Sequence, residues 1–524
     1  SSYPTQVFWG DTHLHTSNSL DARAFGVVLS PADAFRFARG EEITTSHGLR
    51  VKLSRPLDWL VVSDHSDGMG AMNEIIAGNP LLMRDAKVRD WHTRLAAGGA
   101  SAMGATMEVI ETFAGVSGEA MPDAVLDPRF VQTVWDEYLE TAEAYNDPGT
   151  FTTIIGYEWT STENGNNLHR NVLYRDGIRR AERMLPFTAA ASFNPEDLWS
   201  WMERFEDMTG GRVIALAHNG NVSNGIMFPV ETNPATGRRL TREYVERRAK
   251  WEPMYEITQI KGDGEAHPLL SPNDEFADYE TWDGSNLGPT PKENWMLQYE
   301  YAREALKNGL KLEDRLGTNP YKFGLVGSTD SHTALATAEE NNFFGKHSAV
   351  EPEPNRWKHL VGEFGPTRIL GWEMAASGYA AVWAKDNSRR AIFDAMERRE
   401  VYATTGSRIT VRFFGGWTFE AGDAQSRLPA DIGYRKGVPM GGELSSRPEG
   451  AGAPKVLVAA LRDAYSGNLD RIQIVKGWLD SSGDTQEKVY DVIWAGERSP
   501  DTDGRLPPIG STVDVANATF ENSI

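Results

Sequence analysis

Six short apolar runs, all within the first 330 residues, each end in a polar side chain able to bind a ligand. Val7-Phe8-Trp9 leads into Gly10-Asp11-Thr12-His13, residues 57–62 into Ser63-Asp64-His65, and residues 151–157 into Glu158. Val213–Ala217 leads into His218, residues 255–260 into Lys261, and residues 323–326 into Gly327-Ser328-Thr329-Asp330. Runs this short, apolar at nearly every position and bounded by turn residues, predict strands buried on both faces, as in a parallel sheet or barrel. A carboxylate or imidazole directly after such a strand sits at the carboxyl end of the sheet, where barrel active sites are assembled.

Helical patterns fall between the runs, so the expected class is α/β. Ser30-Pro31-Ala32-Asp33 reads as an N-cap with proline in the first turn, opening a helix to about Arg39. Asn194-Pro195-Glu196-Asp197 repeats that grammar ahead of Leu198, Met202 and Phe205, which share one helix face. Phe130, Val134, Tyr138 and Ala142 mark another helix, and residues 293–310 a further one. Residues 67–150, mostly helical, and about 219–320, loop-rich and aromatic, read as insertions that shape a substrate pocket. Past Arg408 the pattern changes to alternation, as in Lys455-Val456-Leu457-Val458 and Arg471-Ile472-Gln473-Ile474-Val475. The expected division is therefore a barrel over 1–410 and a small β-sandwich over 411–524 that covers it.

Composition narrows the chemistry. Lys and Arg number 53 against 74 Asp and Glu, a formal charge of −21, which disfavours nucleic acid and anionic lipid as general partners. A small anionic substrate remains compatible if the site carries its own cations. No stretch approaches the ~18 apolar residues of a membrane span. Cysteine is absent, so any metal must be held by His, Asp and Glu. The chain begins Ser-Ser-Tyr-Pro rather than with Met, and its lack of cysteine fits an exported protein; a periplasmic or secreted location is favoured over the cytoplasm.

His13-Leu14-His15 places two imidazoles on one side of an extended segment. Asp64-His65, Glu158, His169, His218 and Asp330-Ser331-His332 supply further donors at, or next to, strand ends. Ordered nitrogen and oxygen donors converging on one rim are what a multinuclear metal site demands, and imidazole with carboxylate suits Zn, Mn or Fe. Asp11 and Asp64 are read as acceptors that orient imidazoles. Ala266-His267-Pro268 follows a polar loop, so His267 is read as a loop residue. His47, His92, His347 and His359 are read as surface or core residues. Arg170 follows a candidate ligand, and Arg23, Lys261 and Arg408 lie in loops expected at the same rim; these four are the candidate substrate contacts.

The order of motifs resembles the PHP (polymerase and histidinol phosphatase) superfamily of metal-dependent hydrolases. The likeness is carried by His13-x-His15 with Asp21 six residues on, Asp64-His65, Glu158, His169, Ala217-His218-Asn219 and Asp330-x-His332. Phe8-Trp9-Gly10-Asp11-Thr12-His13 and Arg399-Glu400-Val401-Tyr402-Ala403-Thr404-Thr405-Gly406 also resemble a large bacterial PHP-like family catalogued as a domain of unknown function. The resemblance implies a distorted (β/α)7 barrel and two or three divalent ions. One would be held by His13, His15, Glu158 and Asp330, a second by Glu158, His169 and His218, and a third by Asp21, His65 and His332. Glu158, Asp330 and His218 would be catalytic, with a bridging hydroxide attacking a small organic phosphate. A carboxylic ester or amide substrate, or a non-catalytic metal-stabilised scaffold, are the competing readings. Lys or Arg side chains converging on the metals would favour phosphate.

Overall fold

The apolar runs become strands of one curled sheet. The computed structural model describes residues 2–115, 117–364 and 367–524. The sheet comprises β1 (Gln6–Asp11), β2 (Trp59–Val62), β3 (Thr152–Trp159), β4 (Arg170–Tyr174), β5 (Val213–Ala217), β6 (Met254–Gln259), β7 (Gly324–Gly327), β8 (Tyr379–Ala384) and β9 (Val401–Thr404). Their order is β7-β6-β5-β4-β3-β2-β1-β8-β9, with Gly262–Asp263 pairing onto β6. All eight residues of β3 are buried, as expected for a strand covered on both faces.

The sheet is mixed rather than parallel throughout. β1, β2 and β3 run parallel to one another, as do β5, β6 and β7. Between these blocks β4 is antiparallel to both neighbours, pairing Asn171 with Glu158 and Arg170 with Ala217. β8 is antiparallel to β1 and to β9. Two reversals keep the blocks in one sense, so β1, β2, β3, β5, β6 and β7 all end at the same rim. β4 begins there.

Curling brings the two ends of the sheet together. The Gly378 N–H donates to the Ser328 carbonyl at 2.8 Å. At Gly327, on β7, a Cβ would lie 2.8 Å from the Tyr379 carbonyl oxygen and 2.9 Å from that of Thr404. Side chains alternate across the sheet. Trp59, Val61, Ile154, Leu173, Ile214, Leu216 and Met254 fill the inner face, while Leu60, Val62, Ile155, Val172, Tyr174 and Ala215 pack in a second cluster with the helices.

The predicted helices form, with two differences. Pro31–Ala38 opens with a capping box between Ser30 and Asp33, and Asn194 caps Pro195–Thr209. Pro128–Ala144 buries Phe130, Val134, Tyr138 and Ala142. The helix expected over 293–310 is broken: a 3-10 segment, Asn294–Tyr299, precedes an α-helix at Ala302–Leu316. The break falls at Glu300, whose buried carboxylate takes the Lys292 ammonium at 2.6 Å and the Gly225 N–H at 2.9 Å. Residues 219–320 are likewise not one insertion, since they contain β6 and the helices Arg242–Trp251 and Ala302–Leu316.

Past residue 409 the alternating segments do form antiparallel strands. Thr410–Gly416 lies between Gly437–Pro439 and Lys455–Leu461, and Arg471–Leu479 pairs with Thr485–Trp494 in a separate hairpin. A helix, Pro429–Lys436, accompanies the first sheet. Among the described residues no helix is long and apolar enough to cross a membrane.

The close approach at Gly327 sets a test of the curl. Gly327→Ala drives a methyl group into two carbonyl oxygens and is expected to cost about 1–3 kcal/mol of stability, read from denaturant unfolding.

Candidate metal centre

Because β1, β2, β3, β5, β6 and β7 end at a single rim and β4 begins there, residues from 13 to 332 meet there. The loops beyond the strands extend the backbone ladder. The Asp330 N–H donates to the His13 carbonyl at 2.9 Å, His15 N–H to Ser331 at 2.9 Å, Glu158 N–H to Asp64 at 3.0 Å, and Ser66 N–H to Glu158 at 2.8 Å. Asp330 and Asn219 adopt φ of +48° and +51°, a left-handed conformation that Asp and Asn reach more readily than other non-glycine residues.

Glu158 stands at the centre. It lies on the inner face of β3, in step with Ile154. One of its oxygens, Oε2, is 3.1 Å from His15 Nε2, 3.4 Å from His13 Nε2 and 3.2 Å from His65 Nδ1. The other, Oε1, is 2.6 Å from His169 Nδ1 and 3.1 Å from His218 Nε2. Asp330 Oδ1 closes the first group at 3.1 Å from His13 Nε2 and 3.2 Å from His15 Nε2. A third group forms where Asp21 meets His65 Nε2 at 3.3 Å and His332 Nε2 at 3.0 Å. All nine sequence-derived ligand candidates, His13, His15, Asp21, His65, Glu158, His169, His218, Asp330 and His332, are thus brought together. His13, His15, Glu158, His218 and Asp330 are each at most 1% exposed, so bulk water does not reach these donors.

Hydrogen bonding fixes which ring nitrogens carry protons. His13 Nδ1 lies 3.1 and 3.2 Å from the Glu256 carboxylate oxygens and therefore donates. Ser19 Oγ donates to Asp64 at 2.7 Å, which leaves it to accept from His15 Nδ1 at 2.7 Å. With both rings neutral, the two Nε2 atoms present bare lone pairs to each other across 3.0 Å. Likewise Thr162 Oγ1 donates to the Thr160 carbonyl and accepts from His169 Nε2 at 2.7 Å, so His169 Nδ1 aims a lone pair at Glu158 Oε1. Among the described residues, Glu158 Oε2, Asp330 Oδ1, His65 Nε2 and His218 Nδ1 have no hydrogen-bond partner. Lone pairs facing lone pairs in a dry site repel, and a cation between them reverses the sign. The donor set fits divalent metal.

The protonation states agree for His15, His169 and His218. Burial alone would push Glu158 up, but the imidazoles of His65, His169 and His218 outweigh it and hold it well below the usual carboxylate range. Burial pulls His15 and His169 down to about 3 and His218 to about 4, which keeps these rings neutral, the form that binds metal. His13 shifts the other way, because Glu256 and Glu158 overcome its burial.

The supporting residues differ in part from the sequence expectation. Asp64 orients His15 through Ser19, as its placement suggested. Asp11 touches no imidazole ring; it accepts from Thr329 Oγ1 at 2.6 Å and from the His13 N–H at 2.9 Å, tying the β1 and β7 loops together. The carboxylate that holds His13 is Glu256, which the sequence reading passed over; an acid in the middle of the buried strand Met254–Gln259 is the signal that could have found it.

Of the four candidate substrate contacts, only Lys261 reaches the cluster, where its amine pairs with Asp330 Oδ2. Lys346, which the sequence reading passed over, reaches the same oxygen at 3.1 Å. Burial lowers both lysines, Lys346 to about 8, and their proximity pulls Lys261 down further. Arg170 points outward because β4 alternates: His169 and Asn171 face inward, and Arg170 pairs with Glu252 at 3.0 Å beneath Trp199. Arg23 bonds to Asn73 at 2.8 Å, and Arg408 donates to the Pro56 and Arg55 carbonyls, so neither faces the cluster. His267 pairs with Asp283 at 2.8 Å, away from the donors. His92 donates to the Ile75 carbonyl, His359 pairs with Glu353, and His347 stacks on Phe25.

Two substitutions separate ligand from scaffold. Glu158→Ala is expected to remove bound metal, measured by elemental analysis of purified protein. Arg170→Ala leaves Glu252 with Arg248, 3.2 Å away, and the Trp199 indole N–H, and is expected to cost about 3 kcal/mol in unfolding while metal content per folded chain stays unchanged.

Comparison with known proteins bears on ancestry. One solved structure, described as a two-domain protein containing a predicted PHP-like metal-dependent phosphoesterase from Bacteroides vulgatus ATCC 8482, is similar at 9% identity. That likeness covers 93% of this chain and 95% of the other with a TM-score of 0.30. No curated protein matches significantly. The family profile described as "Protein of unknown function (DUF3604)" spans residues 2–524, from ahead of β1 to the last residue, so the donors described above and the strands beyond them lie within one family unit, and the chain belongs to DUF3604.

Proposed function

We propose that the chain is a PHP-type metal-dependent phosphoesterase acting on a small organic phosphate, with residues 1–410 as the catalytic unit. The observation that carries this reading is the set of bare lone pairs around Glu158: His13 and His15 Nε2, His169 Nδ1, and the unpartnered oxygens of Glu158 and Asp330. Two or three divalent ions, from among Zn, Mn and Fe, suit these donors. His13, His15, Glu158 and Asp330 would hold one, Glu158, His169 and His218 a second, and Asp21, His65 and His332 a third. Such ions supply charge neutralisation to an attacked phosphoryl group and activate water near neutral pH.

The chain's own residues do the rest. Glu256, Ser19 and Thr162 fix the tautomers of His13, His15 and His169 and so aim their free nitrogens inward. The dry walls strengthen every charge interaction at the centre. Lys261 and Lys346 bring positive charge to the same mouth, which favours phosphate over a carboxylic ester or amide. The scaffold reading sits poorly with nine intact donors.

Elemental analysis combined with hydrolysis of 4-nitrophenyl phosphate under added Mn or Zn tests the proposal. Turnover is expected only with metal; metal-bearing protein inert toward phosphates would overturn it. His218→Ala is expected to abolish turnover while His267→Ala keeps most of it, and equal losses would show that the donors are misassigned.

A further inference from the structure

Both backbone hydrogen-bonding groups of Lys261 are engaged by a closed circuit of amide side chains. The Lys261 N–H donates to Gln259 Oε1, and the Lys261 carbonyl accepts from Asn221 Nδ2 at 2.9 Å. Gln259 Nε2 donates to Asn219 Oδ1, and Asn219 Nδ2 donates to Asn221 Oδ1 at 3.3 Å. Asn221 Nδ2 also donates to the Trp282 carbonyl at 2.8 Å. A backbone N–H only donates and a carbonyl only accepts, so the two ends fix the polarity of the circuit, and none of the three amides can be reversed. The three side chains belong to residues at most 3% exposed, so solvent offers no competing partner.

That polarity leaves Gln259 one further N–H, and it is aimed at a candidate ligand. Gln259 Nε2 lies 2.9 Å from Asp330 Oδ2. Among the described residues the other oxygen, Oδ1, has no hydrogen-bond partner, and it faces His13 and His15 Nε2 at 3.1 and 3.2 Å. The two oxygens are thus divided, one held by the scaffold and one left bare. Lys261 and Lys346 also reach Oδ2, but Lys346 shares its amine among Oδ2, the Asp330 carbonyl and His332 Nδ1. Both lysines are long side chains, 12% and 11% exposed, whereas Gln259 ends the buried strand β6 and its amide is locked by the circuit. The circuit reaches the second group of donors too. Asn219 directly follows His218, and Asn167 ties that turn to His169. Asn167 donates to the His218 and Asn219 carbonyls at 3.0 and 2.9 Å and accepts from the His169 N–H at 3.0 Å. A neutral amide does all this without changing the charge of the donor set.

We propose that Gln259 is a positioning residue for the metal centre: it holds Asp330 by Oδ2, turns Oδ1 toward His13 and His15, and couples that setting through Asn219 to the His218 turn. The inference rests on the metal half of the reading above and not on the substrate. The probe is Co(II), titrated against a competing chelator and followed by the visible absorption of the bound ion. Gln259→Met keeps the length of the side chain and removes the N–H. It is expected to weaken the ion held by Asp330 by about 10–100-fold and to alter that ion's absorption. Gln259→Glu, which sets an acceptor where the donor was, gives the same reading should the Met variant not fold. In an Asp330→Ala background Gln259→Met is expected to change Co(II) affinity no further, because its effect passes through Asp330. Lower unfolding stability with unchanged Co(II) affinity and absorption overturns the proposal, since Gln259 would then only pack the loops. An added loss in the Asp330→Ala background overturns it as well. Protein that binds Co(II) as expected yet hydrolyses no phosphate ester ends the phosphoesterase reading and leaves Gln259 in its role. Turnover of 4-nitrophenyl phosphate with an unaltered Gln259→Met spectrum and affinity ends the positioning role alone.

Discussion

Everything in this molecule is arranged around an electrostatic conflict. His13 and His15 point unprotonated nitrogens at each other, and Glu158 receives another from His169. In water such an arrangement would relax by rotating rings or admitting solvent. Here burial forbids the second, and the bonds from Glu256, Ser19 and Thr162 forbid the first. The fold spends part of its stability holding like-signed atoms together, a strain that a cation between them would relieve.

That conflict is sustained by strand direction. Six strands deliver donors or their supports from their carboxyl ends, and β4, reversed, delivers His169 from its amino end. The period-two alternation of side chains then divides chemistry from structure within single strands: His169 and Asn171 look inward and Arg170 outward to Glu252. Beyond the strands, the backbone bonds linking His13 to Asp330 and Asp64 to Glu158 keep the rim in register. Asp330 accepts a left-handed backbone to reach its place, a cost of about 1–2 kcal/mol in ordinary residues.

The donors were legible in the sequence because strand ends are. An apolar run broken by His or Asp marks both the strand and its rim and so names most of the ligand candidates, whereas Asp21, which follows no such run, is named only by the PHP resemblance. What lay hidden were relations across the sheet. Asp11 looked like an imidazole acceptor from its place beside His13, but its oxygens point to Thr329 on the far loop. Lys346 follows no apolar run, and only the pairing of its segment with His332 brings it in. Arg170 was misjudged because adjacency to a ligand in a strand means the opposite face. The helix expected over 293–310 is interrupted at Glu300, whose buried ion pair with Lys292 no periodicity reveals. In the tail, alternation located the strands but not their partners, since pairing is decided by turns and packing.

The spread of donors from His13 to His332 also has a temporal consequence. A nascent chain emerging from the ribosome carries its first two imidazoles almost at once, yet the carboxylate and ring that complete the chelate arrive only after more than 300 further residues. By residue 218 the chain has delivered seven of the nine donors, so only the groups that include Asp330 and His332 must wait until β7 has docked. Completion of the donor cluster is thus a late event that reports assembly rather than one that seeds it.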